Sequence, residues 1–176
     1  LLADVGTTLI YTAAAEVRKA QAYVRLESAR AAGNARRGLD AASVDLDKVA
    51  RSLDKGTLKA KADMDKAFAE TSHALSLAHR AKAAQSWAHK AYDQAGYELK
   101  AAASSLESAA AWAGGQAQSA AHAATADARA VGDKLASGGI WAKDEVAKGF
   151  ESLGSALDAL GRARGQGGRR RHSSGG

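Results

Sequence analysis

The sequence contains no cysteine and no proline, and few of its residues are aromatic. Without cysteine, the chain has no disulfide, no thiolate zinc site, no c-type haem attachment and no thiol nucleophile. Without proline, no residue imposes a kink on a helix. Aromatic residues make up 5% of the chain and apolar residues 46%, much of it alanine. Because alanine buries little area, a core here requires helices that approach closely over small side chains.

Residues with high helix propensity dominate what remains. Alanine, leucine, lysine, arginine and glutamate recur throughout the 176 residues, and together they predict an all-α protein. The length suits one domain. We therefore expect an elongated, alanine-rich, antiparallel bundle of about five helices.

The net charge of +6 comes from the end of the chain. Without the last five arginines, the 25 basic residues fall to 20 against 19 acidic ones, a net of +1. We expect residues 1–161 to form a single bundle and residues 162–176 a basic, disordered tail. The arginines of this tail are Arg162, Arg164, Arg169, Arg170 and Arg171.

The first residues predict neither a signal peptide nor a membrane span. The chain starts at Leu1, without a basic segment followed by a long apolar run, and no stretch approaches the roughly 18 apolar residues of a span. We interpret it as a trimmed, soluble bacterial protein of periplasmic or secreted origin.

Apolar residues at helical spacing mark the first half of the chain. One stripe runs through Ile10, Ala13, Val17, Ala20 and Val24, and a second through Ala35, Leu39, Ala42, Leu46, Val49 and Leu53. Gly33-Asn34 separates them and is either a turn or a weak point in one long helix. We favour the long helix, because one extra four-residue step joins the stripes.

Glycines and capping residues mark the later turns. Gly56 suits the left-handed residue after a helix and Thr57 the N-cap of the next. The following stripe contains Met64, Phe68, Ala74, Leu75, Leu77, Ala81, Ala84, Ala88 and Ala91. Further helices are expected to end at Gly114-Gly115 and within "ASGGIW", and the last carries apolar residues from Val146 to Leu160.

The stretch 86–112 is either one long helix or a hairpin. A seven-residue spacing continues through it, but Asp93 is a good N-cap and Gly96 is unfavourable inside a helix. We predict a hairpin that turns near Ala91 to Asp93.

This stretch resembles one helix-turn-helix unit of the tetratricopeptide class. The resemblance rests on Trp87, a polar break, Gly96-Tyr97, Ala102 and Leu106 over about 30 residues. It implies paired helices with Trp and Tyr between them. No second copy follows at the period of about 34 residues that such repeats have, so a repeat array is not predicted. The whole chain resembles uncharacterised alanine-rich helical proteins of bacterial envelopes, of the YfdX type, and this resemblance implies no site.

No catalytic or cofactor motif stands out. Glu70 and His73 form a single Glu-x-x-His, which di-iron bundles use twice, and the other histidines do not share its helix face. Met64 is typical of core filling. We expect no metal, no cofactor and no enzymatic activity.

The sequence favours a non-catalytic interaction or scaffold protein that acts through protein contacts or self-association. Trp87, Tyr97 and Trp112 lie near predicted helix ends, where they either fill gaps or form a partner site. The alternative is a charge-driven binder of nucleic acid or anionic surfaces through the arginine tail.

Overall fold

The protein, described by a computed structural model, is built from α-helices throughout residues 2–56, 61–111 and 115–170. Side chains are described for residues 12–56, 64–111 and 117–164. The helices of these ranges are α1 Leu2–Arg30, α2 Gly33–Asp54, α3 Lys61–Ala88, α4 Tyr92–Ala111, α5 Gly115–Ala136 and α6 Lys143–Arg170. The all-α class is confirmed, with six helices in the described ranges where five were expected.

The additional helix lies in the first half of the chain. The prediction of one long helix there is wrong. α1 ends at Arg30 and α2 begins at Gly33, whose φ is +56°, after an extended Ala32. A straight helix would carry the stripe of α1 away from that of α2. Folding the chain back buries Val17 and Val24 with α2, and this burial outweighs the local cost of breaking the helix.

The hairpin in 86–112 is confirmed. α3 ends at Ala88 and α4 begins at Tyr92. Lys90 adopts a left-handed φ of +61°, and the Ala91 amide donates to the Ser86 carbonyl across 2.9 Å, which closes the end of α3. Gly56 is also left-handed, at +61°, as predicted. Thr57 and the turn at Gly114 lie outside the described residues.

Two buried clusters meet along α3. One forms between α1, α2 and the first part of α3 and contains Val17, Val24, Leu39, Leu46, Ala74 and Ala78. The other forms between α4, α5, α6 and the end of α3 and contains Ala83, Leu99, Leu106, Leu135, Leu153 and Leu157. Since the buried face of α3 changes along its length, Ala81, Ala84 and Ala88 are exposed, contrary to the predicted stripe.

The second cluster has the expected close alanine packing. Ala103 and Ala110 are fully buried. Gly96 lies inside α4 and not at the turn. A side chain does not fit at this position, because a Cβ there would come within 2.6 Å of the Gly132 carbonyl oxygen of α5. Helices α4 and α5 therefore approach to backbone contact, which glycine permits.

The last helix extends past the boundary predicted at Gly161. α6 continues through it to Arg170, so residues 162–170 are helical, while residues 171–176 lie outside the described part. The buried positions of α6 are spaced three and four residues apart up to Leu160. The next position in this series is Arg164, which turns toward the other helices while Arg162 is exposed.

Candidate functional site

An open groove lies over α3, between α2 and α6. Over the described residues, both helices pack against α3 but not against each other, and the groove between them has a volume of about 420 Å³. Gly38, Ala41, Ala74 and Leu77 line its apolar part. Because these side chains are mostly small, the backbones of α2 and α3 are close to its surface.

The wall formed by α6 is fixed to α3 by two side chains that reach helix carbonyls. His73 Nε2 donates to the Leu157 carbonyl oxygen across 2.9 Å, and Arg80 Nε donates to the Phe150 carbonyl oxygen across 3.0 Å. Burial lowers the pKa of His73, so its ring is neutral at pH 7 with the proton on Nε2. These two hydrogen bonds therefore hold α6 in place along α3 and define one side of the groove.

Two carboxylates lie at the other end of the groove. Glu70 shares a side-chain hydrogen bond with Asp45 of α2, and Lys66 Nζ lies 3.9 Å from Glu70 Oε1. Burial raises the pKa of Glu70, and the hydrogen bond and charge of Asp45 act in the same direction against Lys66 and Arg164. Over the described residues, no group of three His, Asp or Glu side chains is placed to hold a metal ion.

Arg164 lines the same end of the groove and is only partly satisfied. Its side chain is half-buried, and its Nη1 atom is buried with no hydrogen-bond partner among the described residues. Burial lowers its pKa, an effect that the charge of Glu70 opposes. A buried guanidinium nitrogen without an acceptor costs free energy in the folded protein.

The opposite side of α3 carries a polar cluster in which the same types of group are paired. His79 Nδ1 donates to Glu98 Oε2 across 2.7 Å, and its Nε2 accepts from the Tyr23 hydroxyl across 3.4 Å. Lys82 Nζ donates to Glu27 Oε2 across 2.5 Å. We call these five residues the polar clamp, because they join α1 to α3 and α4. Burial raises the pKa of Tyr23, which stays a phenol at neutral pH.

The predicted aromatic residues do not form one site. Trp87 is half-buried in a three-ring cluster with Tyr92 and Trp141, at centroid separations of about 5 Å. Tyr97 is 61% exposed on α4. Trp112 lies outside the described residues. The first of these aromatics is therefore part of the second core cluster.

The predicted arginines are also separated. Arg164 faces the groove and Arg162 is exposed. Arg169 and Arg170 belong to α6, but their side chains are not described, and Arg171 lies outside the described residues. The grouping of Arg164 with Asp45, Lys66 and Glu70 was not predicted from the sequence. The four-residue step from Leu160 was the signal that placed Arg164 at an inward position.

Comparisons with protein-family models, with curated proteins and with solved structures find no match to this chain. Among the helices of the described ranges, none combines the length and apolar character needed to cross a membrane.

Proposed function

We propose that this protein is a non-catalytic interaction or scaffold protein that acts through protein contacts, and that the groove over α3 is its docking surface. The open groove carries this proposal. It leaves Leu77 36% exposed between α2 and α6, and a partner that covers this surface removes apolar area from water.

The shape of the groove supports a helix as the docked element. α2 and α6 form its walls, and Ala74 and Leu77 of α3 lie in its floor. A helix that lays its apolar face into such a groove is a common mode of recognition. Small floor residues allow the close approach that helix packing requires.

The test is a selection of displayed helical peptides on the purified protein. Ala41 is exposed and lines the groove, so Ala41→Trp blocks it, whereas Ala126→Trp adds the same side chain at an exposed position of α5. We expect selected peptides to lose binding to Ala41→Trp and to keep it with Ala126→Trp. If no selected peptide distinguishes these two variants, the proposed docking surface is wrong.

The arginine-rich end of α6 supports the alternative, a charge-driven binder of nucleic acid or anionic surfaces. Its test is a variant in which Arg162, Arg169, Arg170 and Arg171 become glutamine and Arg164 is kept. Salt-sensitive binding of duplex DNA or anionic vesicles that this variant loses, together with no groove-dependent peptide, would favour the alternative.

A further inference from the structure

We propose that Tyr23 is a covalent modification site, a nucleophile that takes up an acyl group with His79 as its general base. This inference goes beyond the docking role and does not depend on the groove. It follows from the order in which a hydroxyl, an imidazole and a carboxylate are joined in the polar clamp.

Three side chains of the polar clamp form a chain of hydrogen bonds. His79 Nδ1 donates to Glu98 Oε2 across 2.7 Å, which leaves His79 Nε2 free to accept. This nitrogen accepts from the Tyr23 hydroxyl, 3.4 Å away. A nucleophile and its base are often this far apart in a free protein. The order carboxylate, imidazole, hydroxyl is the one in which an acid orients a base and the base activates a nucleophile.

The reactivity of Tyr23 depends on this base. Burial and the charge of Glu27 raise the pKa of Tyr23, so the side chain keeps its proton at neutral pH. A protonated phenol is a weak nucleophile, and its attack requires a base within reach of the proton. His79 Nε2 is in that position, and the Glu98 carboxylate stabilises the imidazolium that forms.

The step is an acyl transfer. Tyr23 Oη forms a bond to the acyl carbon while its proton moves to His79 Nε2. The bond between that carbon and the leaving group breaks, and the leaving group departs with the bonding electrons. His79 then gives the proton to the leaving group or to water. The products are an O-acyl tyrosine and the free leaving group, with no oxidation or reduction.

The surroundings of Tyr23 favour an uncharged acyl donor. Its charged neighbours are two acids and two bases, Glu27, Glu98, Lys82 and Arg30. Both bases are paired with Glu27, so they are not available to bind an anionic phosphoryl donor. The Tyr23 side chain is 47% exposed, which makes it accessible to a small reagent from solvent.

Tyr97 provides a control within the same molecule. It is 61% exposed, more than Tyr23, and its hydroxyl has no hydrogen-bond partner among the described residues. Exposure alone predicts that Tyr97 is acylated faster. Assistance by His79 predicts that Tyr23 is.

The probe is p-nitrophenyl acetate, with the acetylation of each tyrosine followed by mass spectrometry of peptides. General base assistance contributes about 10² to 10⁴-fold to rates, and we expect Tyr23 to react at least about tenfold faster than Tyr97. His79→Gln should lower the rate of Tyr23 to that of Tyr97 or below and leave Tyr97 unchanged. Glu98→Gln keeps an acceptor for His79 but removes the charge, so it should give an intermediate rate, as a positioning residue does.

The dependence of the rates on pH tests the mechanism in the wild-type protein, even where a variant does not fold. A free phenol reacts as its phenolate, so the rate of Tyr97 should rise about tenfold per pH unit below a pKa of about 10. The rate of Tyr23 should change much less from about pH 7.5 to 9, because a base that is already unprotonated takes the proton. In Glu98→Gln this shallow dependence should persist, whereas in His79→Gln it should become steep.

Three results would overturn the proposal. They are a Tyr23 that reacts no faster than Tyr97, a rate of Tyr23 that His79→Gln leaves unchanged, and equally steep pH dependences for the two tyrosines. Circular dichroism verifies that each variant folds. Docking at the groove is tested separately by the peptide selection, so either proposal can fail without the other.

Discussion

The two sides of α3 differ in how their polar groups are satisfied. On the side of α3 that faces α1 and α4, Glu27 of α1 and His79 of α3 are only 5% and 7% exposed. Each has a partner within hydrogen-bond distance. On the side of α3 that faces α2 and α6, Arg164 is partly buried, and one of its nitrogens has no partner among the side chains that the structure describes. One helix thus borders a closed polar clamp and an open charged groove.

The difference implies that the polar groups on the two sides contribute differently to the stability of the fold. Paired buried groups hold helices in one arrangement, since removing either partner leaves the other unsatisfied. An unpaired group contributes nothing of this kind to the free protein. The following substitutions test whether this difference in pairing is reflected in stability.

The largest effect is expected from breaking the polar clamp. Lys82→Met leaves the Glu27 carboxylate buried, with Arg30 at 3.8 Å as its remaining ion-pair partner among the described residues. We expect the free energy of unfolding to fall by about 3 kcal/mol, measured by chemical denaturation. Lys19→Met removes an exposed ion pair to Glu16 and should cost less than about 1 kcal/mol. Equal losses in the two variants would show that the clamp is not structural.

On the groove side, removing the charge should stabilise the protein. Arg164→Leu continues the apolar series of α6 and eliminates the unsatisfied nitrogen, so we expect a gain of about 1 kcal/mol. Arg162→Leu, at an exposed position, should change stability by less than about 0.5 kcal/mol. A clear loss in Arg164→Leu would mean that the guanidinium is needed by the fold.

The two sides should also respond to acid in different ranges of pH. The pKa of His73 is lowered from 6.5 by burial, so the unfolded chain binds its proton first and stability falls as the pH drops below about 6.5. His73→Gln should flatten this part of the profile. Glu70 has the opposite effect in a more acidic range. Its pKa is raised from 4.5, so the folded protein binds the proton first and stability rises as the pH falls toward 4.5.

On the clamp side, the hydrogen bond from His79 lowers the pKa of Glu98 from 4.5. Its contribution is therefore present above about pH 4.5 and is lost as the pH falls through the lower folded value. Glu98→Gln should reduce the slope of stability with pH in this acidic range only. Urea unfolding at a series of pH values measures both profiles, and identical profiles for the two variants would contradict the assignment.

The smallest effect is expected at Gly38. Gly38→Ala places a methyl group at an ordinary contact distance from Ala74 and should stabilise α2 by about 0.5 to 1 kcal/mol while it narrows the groove and weakens peptide binding.

Gly96→Ala, by contrast, places a Cβ 2.6 Å from backbone atoms of α5 and should destabilise the protein. A stable Gly96→Ala variant would show that α4 and α5 can separate without cost.

Local signals in the sequence predicted the fold class, the left-handed turn at Gly56 and the hairpin after α3. They also predicted the buried alanines Ala103 and Ala110. Each of these depends on residues close in sequence, through helix propensity, capping or spacing. The break before Gly33 could not be decided in this way, because a helix and a turn cost nearly the same locally and only the burial of α1 against α2 separates them.

The residues that line the groove could not be predicted from the sequence, because only the tertiary structure brings them together. Asp45, Glu70 and Arg164 come from three helices, and nothing in their sequence spacing relates them. Arg164 was assigned to a disordered tail because its neighbours are polar and glycine-rich, although its spacing from Leu160 continues the buried face of α6.

The sequence by itself determined that this chain forms alanine-rich helices and where most of them turn, since propensity and turn chemistry act over a few residues. Only the tertiary structure decided which helices are neighbours and therefore which charges are paired. A charged side chain is satisfied or left without a partner by groups that are distant in the chain. For this reason the closed clamp and the open groove on the two sides of α3 became visible only when the helices were packed together.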